Sequence, residues 1–306
     1  MDPASSSQGD LFFSPWEQEV HKWTHAQTWI NRIIGWSTET RELAWRGVVD
    51  ASWSLHSSLY RHIQSSVGKA PDEADFLEYE TEILRRCRSL WRYDKSEMSA
   101  LELLAHIQHY GGPTRLLDVT FNPLIALWFA VEQKHDGNGV SIADVDGRLF
   151  AFDVTGQHIT MDSRWGNRAL PWSPQPVGWR DKRPNVWRPP SFNDRIPAQN
   201  SAFLVGGIPL PSSGSNGTYR KAPGQANVVG WWTSDEVRQS TSVAVKMNAL
   251  THRPQVRSQP TFTLRISAAH KPEIRTILER SFGYNSATMF PDLYGLAQNV
   301  GNNISI

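Results

Sequence analysis

The 306-residue sequence predicts an α+β protein. Three observations carry that class. Amphipathic helical patterns crowd the first half, short apolar strand patterns fall mainly in the second, and no regular strand–helix–strand alternation joins them. No internal repeat is visible.

Taken in order, residues 1–14 are rich in Ser, Gln, Gly and Pro and are expected to form a disordered tail, with residues 15–306 a single domain. Trp16, Val20, Trp23, Trp29, Ile30 and Ile33 recur at helical spacing, and Gly35 and Ser37 end that pattern. Leu43–Val49 is a short apolar run that reads as a buried strand carrying one charge, Arg46. Trp53, Leu55, Leu59 and Tyr60 lead into a short helix ending near Ile63. Pro71 and the acids Asp72, Glu73 and Asp75 signal a helix start. Phe76, Tyr79, Ile83, Cys87, Leu90 and Trp91 make that helix's apolar face. A further helix runs from about Glu97 to Tyr110 and stops at Gly111-Gly112. Asn122 is the expected N-cap of the next, with Pro123 in its first turn. Strands are expected at Arg148–Val154, Ala202–Gly206 and Thr261–Ile266, and a closing amphipathic helix at Pro272–Phe282. Between them, residues 156–200 form an irregular insert rich in Arg, Trp and Pro, and Ser212–Gln225 a Gly/Ser loop.

Composition excludes several function classes. A hydrophobic fraction of 39% and a charged fraction of 20% fit neither a disordered polyelectrolyte nor a membrane bundle. Lys+Arg 31 against Asp+Glu 30 leaves a formal +1, so contact with nucleic acid or anionic lipid would need a local basic surface. One cysteine, Cys87, excludes an internal disulfide and a multi-cysteine zinc site, and on its helical stripe it reads as a buried hydrophobe. Met1–Asp10 lacks a signal-peptide pattern, and no apolar run approaches the roughly 20 residues that cross a bilayer. A cytoplasmic protein with no membrane partner is expected. The 14 tryptophans are twice the 7 tyrosines. Trp16, Trp23, Trp29, Trp91 and Trp128 fall on helical stripes, whereas Trp165, Trp172, Trp179 and Trp187 fall in the insert, interleaved with arginines. That segment is either a long loop pinned by its tryptophans or a surface for stacked bases and phosphates.

Chemistry-bearing residues concentrate in Leu103–Ala130. His106 and His109 share one helix, and Tyr110 closes it. Arg115 and Asp118 flank two leucines in an expected strand, where unpaired charge is costly. They either pair with each other in the core or face a cleft. Arg46 poses the same question, and Gly47 beside it favours an anion clamp, because a missing side chain lets a ligand approach. No phosphate-binding glycine loop, nucleophile elbow or kinase set is present, and His106 with His109 has no third ligand at metalloprotease spacing, so no metal is expected.

Trp45-Arg46-Gly47, Trp53-Ser54-Leu55 and Ser58-Leu59-Tyr60-Arg61 resemble the opening of the FRG-domain family, named for a Phe/Tyr-Arg-Gly motif, with Trp45 in the aromatic place. His109-Tyr110-Gly111, Pro113–Asp118, Asn122-Pro123 and Ala126–Ala130 resemble its central signature. Asn193–Ile196 with Gln199 and Phe203, and Met289–Leu293, resemble its later blocks, so that the resemblance spans roughly residues 41–298.

A second resemblance, to ADP-ribosyltransferases, rests on the order of elements: Arg46 on a first strand, Asp118-Val119-Thr120 leading into Ala126–Ala130, then the strand at Arg148–Val154 and a third block at Arg195–Phe203. It implies a split β-sheet core with N-terminal helices and NAD as cofactor and substrate. Gln199 stands where that superfamily has its catalytic glutamate, which stabilises the ribosyl cation formed as nicotinamide leaves; either Asp194 or Asp118 takes over that negative charge, or turnover is weak, or the fold binds a nucleotide without cleaving it. The resemblance further implies Arg46 on the pyrophosphate or ribose beside Gly47, and His109 and Tyr110 around the nicotinamide. Thr120 would sit on the ribose with Gln199, Arg115 and Asp118 would brace the site, and Asn122 and Arg195 would complete it. The implied activity is ADP-ribosyl transfer, as a toxin or phage-defence effector. The expected partners are NAD, a nucleic-acid or protein acceptor and a cognate inhibitor. The alternatives are a non-catalytic nucleotide- or nucleic-acid-binding module using Trp172, Trp179 and Arg183, and a metal-independent nuclease built on His106 and His109.

Overall fold

Alternation of side chains along Leu43–Val48 and Gly147–Asp153 places Trp45, Leu149 and Ala151 on one face and Ala44, Phe150 and Phe152 on the other, each face in its own apolar cluster. Both faces are therefore covered. The computed structural model describes residues 7–37, 41–90, 98–136, 140–161, 164–181, 183–210, 219, 221, 230–255, 258–293 and 295–297. Trp91, Glu97 and most of the expected loop at 212–225 lie outside the described residues.

In chain order the elements are α1 (Gln8–Phe13), β1 (Gln18–Val20), α2 (Trp23–Ser37), β2 (Leu43–Val48), α3 (Ser58–Val67), α4 (Glu73–Ser89), α5 (Ala100–His109), β3 (Leu117–Thr120), α6 (Pro123–Val131), β4 (Gly147–Asp153), β5 (Asn185–Trp187), α7 (Arg195–Ala198), β6 (Ser201–Val205), α8 (Ser234–Ser240), β7 (Thr261–Ile266), α9 (Lys271–Phe282) and α10 (Ser286–Met289). The described strands form one sheet in the order β1-β7-β4-β2-β3-β6-β5, antiparallel throughout except for the β1–β7 pair. This is the α+β plan that the sequence predicts.

Helices α2, α6 and α9 bury Ile30, Ile33, Trp128, Ile274 and Leu278 against Trp45, Leu149 and Leu264. Helix α6 lies unusually close to the sheet. A Cβ on Gly47 would stand 1.8 Å from the Ala126 carbonyl oxygen, and one on Gly147 would stand 2.3 Å from that of Ala130. Two glycines on adjacent strands thus form the seat of this helix, whose start is fixed by the Asn122 side chain accepting from the Leu124 and Ile125 amides.

Three sequence expectations change. The polar tail folds from Gln8: Ser7 caps α1, Phe12 and Phe13 are buried, and Asp10 pairs with Arg148 and Arg265. Residues 16–33 are not one helix. Trp16 ends a 3-10 turn and Val20 lies in edge strand β1, since a helix there would forfeit the pairing with Leu264–Ile266, while Gly35 lies inside α2. The insert contains β5 and α7, and Trp172, Trp179 and Trp187 are buried. They offer no face for a base to stack on, and the pinned loop is the reading that holds for them.

Candidate functional site

Strands β2 and β3 share one register pair, Trp45↔Thr120, and then part. In the gap, Arg46 Nη1 donates 2.6 Å to the Asp118 carbonyl, a side chain standing in for a ladder hydrogen bond. A cavity of about 340 Å³ opens at this split, within the roughly 300–1,000 Å³ range of small-molecule pockets. Its wall gathers Arg46, Gly47, His109, Asp118, Thr120, Arg195 and Gln199 from β2, α5, β3 and the α7 region, floored by the rings of Trp45, Phe129, Phe192 and Phe290.

Two arginines line this wall, and their surroundings differ. Arg195 is clamped on both Asp292 oxygens, with Nη2 at 2.8 Å from Oδ1, and its guanidinium lies 5.1 Å over the Phe290 ring. The hydrogen bonds from Arg195 hold the Asp292 carboxyl below the usual carboxylate range. His109 Nε2 stands 3.9 Å from Asp292 Oδ2, yet burial and then the charge of Arg195 lower its pKa, so it is a neutral imidazole at neutral pH. Arg46 is less fully matched. Beyond the Asp118 carbonyl, its nearest carboxylate oxygen is Asp118 Oδ2 at 3.9 Å, and its Nε is buried without a hydrogen-bond partner. Burial lowers its proton affinity, partly offset by Asp118. Asp118 itself has a side chain 67% exposed and accepts from Gln108 Nε2 at 2.8 Å. Among the described residues it is the one acid of the cavity wall.

Several expected ligands are otherwise engaged. Arg115 is 1% exposed and does not pair with Asp118. It forks onto Glu80 at 2.5 Å, reaches Glu73 at 2.9 Å, and lies 4.4 Å from the Trp172 ring, while Trp172 and Trp179 donate to the same two glutamates. Burial alone would lower its proton affinity, but Glu80 and Glu73 outweigh it and hold it above its ordinary value. It is a fold element and does not brace the cavity. Gly47 is needed for the approach of α6, because a Cβ would meet helix backbone; the expected ligand approach is not what demands a glycine. Thr120 donates to the Gln199 carbonyl and accepts from the Asn122 amide, so its hydroxyl is committed locally. Asn122 caps α6, donates to Tyr284 Oη, and lies off the wall. Asp194 also lies off the wall, at the N-cap of α7, where it makes no side-chain cap bond. Tyr110 is 73% exposed, edge-on to His109 at 4.8 Å, and so stands at the rim. Gln199 lines the cavity, but its amide donates to the Met289 carbonyl at 2.7 Å. His106 stacks on Phe192 at 4.1 Å outside the wall, so the two histidines do not converge on one space.

Gln108, Phe192 and Asp292 complete the arrangement. Gln108 lies one residue before His109 on the last turn of α5, and helical geometry could have flagged it. Asp292 lies 97 residues from Arg195, and no local pattern joins them.

An α+β protein with a ring-floored, two-arginine cavity at a split in its sheet is the class that the fold and site define. The FRG domain family model matches residues 41–139, and the chain carries an FRG domain there. That span runs from β2 to the loop after α6 and supplies Arg46, His109 and Asp118; Arg195, Gln199 and Phe290 lie beyond it, although the sequence resemblance extends to them. No curated protein and no solved structure matches the chain significantly. Among the described residues no helix is long and apolar enough to cross a membrane, and no group of three metal-ligating side chains occurs.

Proposed function

We propose that the protein is an ADP-ribosyltransferase-like enzyme that consumes NAD. The observation that carries this reading is the cavity itself: a partly unmatched guanidinium, an exposed carboxylate, flat rings and a neutral imidazole line one space. A ligand that combines a phosphate, a ribose and a planar base matches that set of surfaces. In this reading Arg46 holds phosphate, and Phe192, Phe290 and His109 enclose the nicotinamide ring. Asp118 takes the electrostatic role for which the superfamily uses glutamate. As the glycosidic C–N bond breaks, nicotinamide leaves with the bonding electrons and Asp118 stabilises the ribosyl cation. The acceptor atom then bonds to that carbon and gives up its proton, for which neutral His109 is the available base. The acceptor is a nucleic acid or a protein, and a toxin or defence effector with a cognate inhibitor is the biological form that such chemistry takes.

Labelled NAD incubated with the protein and with protein, RNA or DNA acceptors should yield free nicotinamide or a labelled macromolecule, both lost in Arg46→Ala. No turnover with any acceptor overturns the enzyme. One observation favours a second reading: Gln199 replaces the expected glutamate and spends its amide on Met289. If NAD binds the wild type but not Arg46→Ala, and is never cleaved, the protein is a nucleotide-binding module.

A further inference from the structure

Asp118 reaches the cavity from the one exposed position of β3. A carboxylate so placed samples several rotamers unless a group outside the strand holds it. Among the described residues its side chain accepts one hydrogen bond, from Gln108 Nε2 to Oδ1 at 2.8 Å, while Oδ2 stands 3.9 Å from Arg46 Nη1. Gln108, half-buried on the last turn of α5, is itself held from behind. The fully buried Thr114 donates its hydroxyl proton to Gln108 Oε1, and the same hydroxyl accepts from the Leu116 amide at 3.2 Å. The Thr114 backbone is tied to the first turn of α3. Its amide donates to Ser58 Oγ at 3.0 Å, and its carbonyl accepts from the Leu59 amide at 3.0 Å. Each link in this relay has one direction. The Leu116 amide can only donate, so the Thr114 hydroxyl keeps its own proton to pass on. The Asp118 carboxylate can only accept, so it takes the Nε2 end of the Gln108 amide and leaves the Oε1 end for Thr114.

We infer that Gln108 is the positioning residue of Asp118: it holds one carboxylate oxygen so that the other stays beside Arg46 on the cavity wall. The inference rests on the proposed NAD-consuming reading for what Asp118 does, and deepens it by naming the group that keeps this charge in place. A charge that stabilises a transition state acts best when its orientation is set before the reaction.

Two readouts test it, both on the full chain. The first needs no turnover. With nitrogen-labelled glutamine, the Gln108 side-chain amide is assigned in the NMR spectrum by its loss in Gln108→Leu. It should stand apart from the exposed glutamines and exchange slowly with water. Asp118→Asn should move it, and Thr114→Val should speed its exchange. A Gln108 signal among those of exposed amides, or one indifferent to Asp118→Asn, overturns the inference whatever the protein does with NAD. The second readout is kinetic. Gln108→Leu should lower kcat for nicotinamide release roughly tenfold to a hundredfold with little change in KM, because the ground-state contacts to NAD remain. Gln108→Glu should be as poor near neutral pH, where two carboxylates face each other. It should recover as the pH falls, once the introduced carboxyl takes a proton and can donate to Asp118. A merely structural Gln108 gives no such recovery, and a folded Gln108→Leu with the wild-type kcat overturns the positioning while keeping the enzyme. The converse is as clear: an intact Gln108–Asp118 contact in a wild type that never cleaves NAD removes the enzyme and leaves Gln108 holding Asp118.

Discussion

Arg46 and Arg115 look alike in sequence, each a single cation in an apolar run, and the fold uses them in opposite ways. Around Arg115, two carboxylates, two indoles and the Gly206 carbonyl close on a guanidinium that is 1% exposed. Around Arg46, one carbonyl and one distant, exposed carboxylate leave a buried nitrogen unmatched beside a cavity. A buried charge is tolerated when its donors are satisfied, and the Arg115 cluster meets that condition from within the chain. The Arg46 region does not, and a ligand can supply the remainder. Satisfaction of donors, more than burial, separates the arginine that holds the fold from the arginine that waits for a partner.

The largest effect should come from breaking the closed cluster. Arg115→Met strands Glu73 and Glu80 in the core, and loss of one partner from a buried ion pair costs about 3–5 kcal/mol. Urea or thermal unfolding reads this directly; a loss below about 1 kcal/mol would erase the contrast between the two arginines. Next comes Gly47→Ala. Its Cβ would lie 1.8 Å from the Ala126 carbonyl oxygen and 2.6 Å from the Ala130 nitrogen, both helix backbone that cannot rotate away. Overpacking of this kind costs about 3 kcal/mol, and a stable Gly47→Ala protein would return that glycine to the ligand.

His56, two residues before α3, is a buried group of a third kind, an ionisable ring held neutral. It is buried, stacked 3.7 Å on Tyr60, bonded at Nε2 to the Arg238 carbonyl, and its own carbonyl holds Arg61. Burial lowers its pKa from 6.5 to about 3. Between those values the unfolded chain binds a proton on this ring and the folded chain does not, so stability is full above pH 6.5 and falls as acid is added. The slope is at most about 1.4 kcal/mol per pH unit, which gives about 2 kcal/mol by pH 5. Unfolding free energies measured from pH 7 to pH 5 should show this decline, and His56→Gln should flatten it. An unchanged slope would mean that other groups govern acid stability.

Local patterns made much of the fold legible. The apolar runs gave β2, β4, β6 and β7, and Asn122-Pro123 marked the start of α6. The misses share one cause. Edge strand β1, short β5 and helices α1, α7 and α10 are too brief to carry a period and exist through tertiary contacts, as Asp10 does with Arg148 and Arg265. The site follows the same division. Arg46, His109, Asp118, Arg195 and Gln199 were found because each sits in a distinctive short run. The partners of Arg115 were missed because Glu73 and Glu80 lie 42 and 35 residues away, on an ordinary amphipathic helix where acids read as solvent-facing. Tryptophans in an irregular insert read equally as a binding surface or as pins, and only the glutamates they donate to distinguish the two.

The smallest stability effect belongs to Arg46, and it is the sharpest test of the contrast. Arg46→Met keeps the apolar stem, removes one hydrogen bond to the Asp118 carbonyl, and also removes the unmatched Nε. A net intramolecular hydrogen bond contributes about 1 kcal/mol, and eliminating an unsatisfied buried donor returns part of it. The melting temperature should therefore stay close to that of the wild type, while nicotinamide release and NAD binding both fall. Stability and function would then separate: Arg115→Met would unfold the chain, and Arg46→Met would leave a folded protein that no longer holds its anion. If Arg46→Met instead unfolded as readily as Arg115→Met, Arg46 would be a second structural cation, and the split between β2 and β3 would be closed by the protein's own side chain with no ligand required.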